Sequence, residues 1–117
     1  MSDQLKFRTK KFTLSIIDLV ESLPITTASK VVSYQVAKSG TSTGANYRAA
    51  CRARSNKEFI SKMEIVLEEI DETLFWLEII KEKQWVESYV VAAIWTEGNE
   101  LTAIFVTSLK TVKSKMA

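Results

Sequence analysis

The feature that most constrains the fold is an apolar stripe with helical spacing in the middle of the chain. From Asn56 the segment NKEFISKMEIVLEEIDETLFWLEIIKEK places apolar residues at alternating steps of three and four: Phe59, Met63, Val66, Ile70, Leu74, Leu77 and Ile80. This spacing puts them on one face of an α-helix that we predict over about 56–83. Ser55 and Glu58 form the S-x-x-E pattern of a capping box, which marks the helix start.

The remaining segments have the same period, so we predict four helices. The first, about 5–22, carries Phe12, Ile16, Leu19 and Val20 and ends near Pro24, because proline breaks helices. The last, about 87–115, continues the pattern of Trp85, Val86, Val90, Ile94, Leu101, Ile104, Phe105, Leu109 and Val112, with Gly98 as its weak point. The second, 26–54, keeps helical spacing, although a loop is the competing interpretation. The 117 residues predict a single all-α domain, 1–117.

Two of the three glycines lie in the stretch SGTSTGANYR, residues 39–48. Small residues recur at i, i+4, i+7 and i+11 through this region, at Ser33, Ala37, Gly40 and Gly44. We favour a seam on which a second helix packs closely, with a bent helix or an anion-binding loop as alternatives. The Walker phosphate-loop pattern is missing, because no lysine follows Gly44. On a regular helix, Gly40→Ala is expected to be mild or stabilising.

Missing residue types exclude several kinds of chemistry. The sequence has no histidine, which excludes Ser-His-Asp and Cys-His nucleophiles and His-containing metal sites. A single cysteine, Cys51, excludes an internal disulfide. The acids of the third helix, Glu64, Glu68, Glu69, Asp71, Glu72 and Glu78, lie beside or opposite its apolar stripe rather than inside a bundle. We therefore expect no enzyme activity, no cofactor and no metal.

Location is predicted from the apolar runs. They are too short for a membrane span, and the N-terminal stretch MSDQLKFRTKKF lacks the apolar segment of a secretory signal. We expect a cytoplasmic protein without a membrane partner.

Two stretches resemble a known family. SGTSTGANYRAACRARSNKEFISKMEIVLEEIDETLFWLEI and EGNELTAIFVTSLKT resemble bacterial four-helix-bundle proteins, some of them encoded in intervening sequences of large-subunit ribosomal RNA genes. The family pattern S-A-T-S-[IV]-G-A-N-Y-R matches with departures at Gly40 and Thr43. The resemblance implies an antiparallel up-down-up-down four-helix bundle, often assembled as a ring-like homopentamer, and brings no catalytic residues.

The chain is also similar to the accessory protein of diversity-generating retroelements, a basic pentameric barrel that binds nucleic acid and a reverse transcriptase. The resemblance therefore implies DNA or RNA, and a reverse transcriptase, as partners.

In such a bundle the start of the first helix, the second turn and the end of the fourth helix meet at one pole. Twelve cations collect there: Lys6, Arg8, Lys10, Lys11, Arg48, Arg52, Arg54, Lys57, Lys62, Lys110, Lys113 and Lys115. All of these except Lys62 are candidate phosphate-binding residues. The alternative is that they are solvated side chains, some favoured by a helix dipole. Arg48 and Arg52 repel each other unless an anion, or an acid such as Glu58 or Glu64, relieves them.

Surplus apolar residues predict self-association. Six lie off the main stripes or at their margins: Ile65, Leu67, Phe75, Ile79, Trp95 and Phe105. The tryptophans are expected in the core or in an interface, since they are not interleaved with the arginines as base-stacking residues would be. Two functions stay open: a non-catalytic nucleic-acid-binding accessory protein, or a structural or protein-interaction oligomer with no nucleic-acid role.

Overall fold

A computed structural model describes residues 2–116, which form four α-helices joined by short turns. The helices are α1 (Ser2–Ser22), α2 (Thr27–Cys51), α3 (Asn56–Lys83) and α4 (Ser88–Met116), and residues 2–116 contain no strand. The prediction of an all-α fold is confirmed. α2 runs unbroken through 39–48, so the competing loop interpretation of that stretch is wrong.

The helices pack side by side as an antiparallel bundle. Each contacts its neighbour in the chain, and α1 also contacts α4, which closes the arrangement. Short turns between long helices favour this up-down-up-down order. The bundle measures 48 × 22 × 22 Å. In this order of helices, the start of α1, the turn between α2 and α3 and the C-terminal end of α4 lie at the same end of the bundle.

The core draws on the predicted stripes of all four helices. α3 contributes the most regular row, with Met63, Val66, Ile70, Leu77 and Ile80 fully buried. The stripe of α4 departs from the prediction, because Val91 is buried while its neighbour Val90 is only partly so. Phe105, which the spacing placed at a margin, is fully buried and stacks on Tyr47 with ring centroids 5.1 Å apart.

Capping residues fix where α2 and α3 begin. The Thr26 hydroxyl accepts a hydrogen bond from the backbone N–H of Ser29, and the Ser29 side chain accepts one from Thr26, which completes a capping box. At α3 the Ser55 hydroxyl accepts from Glu58 N at 3.1 Å. Glu58 does not return the bond in the described part of the chain, so only half of the predicted box forms.

α1 packs directly against the small-residue seam of α2. The Thr13 hydroxyl donates to the carbonyl oxygen of Gly40 at 3.1 Å, which joins the two helices. A Cβ at Gly40 would lie only 2.8–3.1 Å from three atoms of Ile16, and one at Gly44 would overlap the Thr13 hydroxyl. Both glycines keep ordinary helical backbone. These distances argue against a mild effect of Gly40→Ala, because the added methyl group would meet a fully buried side chain of α1.

Buried hydroxyls join α2 to α3 on the other side. Thr73 donates to the Ser39 hydroxyl at 2.8 Å, and both side chains are fully buried. The Thr73 hydroxyl also lies 2.8 Å from the carbonyl oxygen of Glu69 within α3, so its contact with Ser39 adds a polar link between α2 and α3 to the bonds each helix makes by itself. α2 thus packs between α1 and α3, with polar contacts on both sides.

Candidate nucleic-acid interface

The predicted basic residues gather most closely in a groove between the outer faces of α1 and α2. Lys6 and Lys10 stand on the α1 wall, and Arg48 and Arg52 on the α2 side. We call this the basic groove. Its volume is about 410 Å³, and Thr13 and Gly44 lie at its base, where the two helices approach most closely. The absence of a side chain at Gly44 thus brings two pairs of cations toward each other.

The four cations of the basic groove are exposed and carry no counter-charge. All four residues are solvent-exposed, and none makes an ion pair with a carboxylate among residues 2–116. Neither Glu58 nor Glu64 relieves Arg48 and Arg52, since Glu64 pairs with Lys113 instead. The helix dipole favours Arg48, in the last turn of α2, but gives no reason for Lys6 and Lys10 near the N-terminal end of α1.

The side chain of Arg8 contacts α4 rather than the basic groove. Its guanidinium contacts the carboxylates of Glu97 at 2.7 Å and Glu100 at 3.2 Å, both on α4. Hydrogen bonds to Glu97 are the main reason that the pKa of Arg8 is raised. Because two carboxylates already compensate its charge, Arg8 serves to hold α1 against α4 rather than to attract phosphate.

The other predicted cations are dispersed around the same pole. Lys11 lines a separate groove between α1 and α4, together with Arg8 and Phe7. Arg54 lines a depression near the second turn, which Lys6 also borders. Lys57, Lys110 and Lys115 are exposed, and Lys113 contacts Glu64 at 3.3 Å. These eleven cations thus do not form one site, and Lys62, the twelfth, is only partly exposed.

Tyr47 lies at the bottom of the basic groove as part of the core. It is only 6% exposed, and its pKa is raised first by burial and then by a hydrogen bond to Cys51 and by the charge of that thiol. Its hydroxyl therefore stays protonated across the physiological range. The sequence analysis did not identify the threonines of the groove, which carry no signal that separates them from other polar helix residues.

The acids of α3 lie on the outside of the bundle. The indole N–H groups of Trp76 and Trp95 donate to Glu72 and Glu78, each at 3.1 Å. Burial raises the pKa of Glu69, with a further contribution from Glu72. Among residues 2–116, no three carboxylate or thiol side chains come together in a way that could hold a metal ion.

Within the described chain, none of the helices has the length and apolarity needed to cross a membrane.

Comparisons with known proteins agree with this architecture. Over residues 4–107 the chain matches the model of a family described as 23S rRNA-intervening sequence proteins. A crystal structure of a protein of unknown function from the S23 ribosomal protein family of Bacteroides thetaiotaomicron superposes with a TM-score of 0.84. It is 31% identical and covers 91% of this chain and 98% of its own. No curated protein matches the chain. Since the family model spans most of the sequence, the chain belongs to the 23S rRNA-intervening sequence protein family.

Proposed function

We propose that this chain is a non-catalytic, oligomeric protein that binds nucleic acid through phosphate contacts in the basic groove. One observation carries the proposal: Lys6, Lys10, Arg48 and Arg52 line a single groove that no carboxylate lines, and none of the four forms an ion pair among residues 2–116. Phosphate backbones attract such cations, and each contact releases condensed counterions, which makes binding strongly dependent on salt. Arginine adds two-pronged hydrogen bonding to phosphate oxygens.

The remaining parts of the proposal come from the sequence and its resemblance. The lack of histidine supports a non-catalytic role. The proposed function also includes assembly as a homopentamer, a cytoplasmic location and a reverse transcriptase as partner. Each of these is an expectation from the sequence analysis. A reverse transcriptase gene, or a flanking ribosomal RNA gene, beside the coding sequence would support the accessory role.

The test is a titration of labelled DNA and RNA, each single- and double-stranded, at several salt concentrations. The double variant Arg48→Gln/Arg52→Gln should bind all of them more weakly and with a flatter salt dependence. Lys81→Gln/Lys83→Gln is the matched control, because it removes the same charge from the last turn of α3 at the opposite pole. Absence of binding at low salt, or equal loss in both variants, would overturn the proposal.

The second candidate is a structural or protein-interaction oligomer. It is favoured by large apolar side chains on the surface, such as Phe7, Tyr34 and Phe75, which are 67%, 64% and 51% exposed. Apolar side chains of this size often mark surfaces that another protein covers. If no nucleic acid binds while the chain self-associates, this candidate replaces the first.

A further inference from the structure

The basic groove lacks the side chains that read adenine and cytosine, and of the four bases only guanine offers acceptors that its arginines and lysines commonly pair with. Its lining contains neither amides nor carboxylates, the groups that commonly pair with the edges of adenine and cytosine. The hydroxyl protons of Thr9, Thr13 and Thr41 are already donated to the backbone oxygens of Leu5, Gly40 and Ala37, at 2.7, 3.1 and 2.7 Å. What remains for a ligand is the positive charge and the hydrogen-bond donors of the two lysines and two arginines.

The groove also lacks an aromatic face on which a base could stack. Its one aromatic residue, Tyr47, is buried, and its ring stacks on Phe105. Of the exposed aromatic residues, Phe7 lines the α1–α4 groove, and Tyr34 lies about 21 Å from Arg48 along α2. Proteins that bind single strands gain affinity from each base that stacks on an aromatic side chain. The basic groove offers no such gain.

The cations form two opposed rows that suit the regular phosphate backbone of a nucleic-acid duplex. Lys6 and Lys10 are four residues apart, as are Arg48 and Arg52, so each pair extends about 6 Å along its helix. That length corresponds to roughly two phosphates of one strand, which rise about 3.4 Å each along a duplex. A duplex holds these phosphates in place, whereas a single strand must lose conformational freedom to align them.

We infer that the basic groove takes one phosphate strand of a nucleic-acid duplex, with little regard to base sequence or sugar. This inference rests on the proposed function and specifies its ligand. Because the cations are proposed to contact phosphates rather than sugars, DNA and RNA duplexes should bind with similar affinity. Neutralising about two phosphates predicts a slope of about −1.8 for the logarithm of affinity against that of salt concentration.

The experiment compares a fluorescent ten-base-pair duplex with each of its separated strands at equal salt. The duplex should bind about tenfold more tightly than either strand, since the strands pay for ordering and gain no stacking. In Arg48→Gln/Arg52→Gln the salt slope should become flatter than that of the unaltered protein, and in Lys6→Gln/Lys10→Gln by a similar amount. Lys81→Gln/Lys83→Gln should keep the slope of the unaltered protein. Circular dichroism and light scattering check the fold and assembly of every variant.

The possible failures are distinguishable. Equal or tighter binding of the single strands would overturn the duplex preference and leave nucleic-acid binding intact. Duplex binding that survives both groove variants as well as it survives the control would place the ligand elsewhere and overturn the inference. No binding of duplex or strand at low salt would overturn the proposed function itself.

Discussion

At the scale of single residues, the closest helix approach depends on glycine. Gly44→Leu should destabilise the protein by about 1–3 kcal/mol, because a larger side chain collides with Thr13 and forces α1 away from α2. The matched control is Ala45→Leu, one residue along on the exposed face, which should change stability by less than about 0.5 kcal/mol. Urea unfolding measures both, and equal stability of the two variants would contradict close packing at Gly44.

Gly40→Ala is a subtler test of the same contact. Alanine is the better helix former by about 1 kcal/mol, but its methyl group meets the Ile16 side chain close to the α1 backbone. We expect the collision to outweigh the gain and leave a net loss of about 1 kcal/mol. A Gly40→Ala protein more stable than the unaltered chain would mean that α1 shifts at little cost.

The spacing of the small residues predicted a seam, but it could not predict whether Gly40→Ala raises or lowers the stability of the protein. Periodicity identifies the face of a helix that packs. The distance to Ile16 depends on how α1 lies across that face.

Tyr47 predicts a specific loss of stability in alkali. Burial raises its pKa in the folded state, while in the unfolded chain it ionises near pH 10. Above that pH the unfolded chain has lost a proton that the folded chain retains, so stability falls as pH rises. At pH 11 this costs about 1.4 kcal/mol. Unfolding measured between pH 8 and 11 should show a shallower decline in Tyr47→Phe, whereas Tyr34→Phe, at an exposed position, should decline like the unaltered protein.

At the scale of helices, a charged contact joins α1 to α4 beside the apolar contact of Phe12 with Gly98. Arg8 contacts two carboxylates of α4, and the α1–α4 contact is less extensive than the other three helix pairs. A double-mutant cycle with Arg8→Gln and Glu97→Gln should give a coupling of about 1 kcal/mol, at the upper end for exposed pairs. The cycle with Lys113→Gln and Glu64→Gln is the control, since that single, more exposed contact should couple by about 0.3 kcal/mol. Coupling of Arg8 and Glu97 no stronger than the control would show that apolar packing alone holds α1.

The candidate site was predictable in composition but not in arrangement. The order of the helices brings the cations to one pole, and this follows from short turns and helical periodicity alone. Which cations face each other depends on the rotation of each helix about its axis. That rotation separates Lys10, in the basic groove, from its neighbour Lys11, which lines the α1–α4 groove. Arg8 could not be distinguished from Lys6 by sequence, because its partners Glu97 and Glu100 are distant in the chain.

At the scale of the whole molecule, the apolar surface differs from the sequence-based expectation. Of the six surplus residues, Phe105 belongs to the core, Leu67, Ile79 and Trp95 pack against it, and Ile65 and Phe75 remain exposed. Other exposed apolar side chains lie on α1, α2, the turn between them and α4: Phe7, Leu14, Ile17, Ile25, Val31, Tyr34, Tyr89 and Met116. These side chains face outward in a single bundle. They therefore lie outside the apolar stripes from which the sequence predicts the buried faces.

This distribution predicts an oligomer, with a pentamer favoured by the family resemblance. Apolar side chains are exposed on all four helices, so a single copy leaves them in water, and packing against other copies would bury them. Light scattering coupled to size exclusion should give about five times the 13.2 kDa of one chain at micromolar concentration. Phe75→Asp tests a contact on α3, while Lys81→Gln should leave the assembly intact. A ring would also repeat the basic groove and make weak phosphate contacts multivalent. A homogeneous 13.2 kDa species would contradict the prediction and leave the groove to act alone.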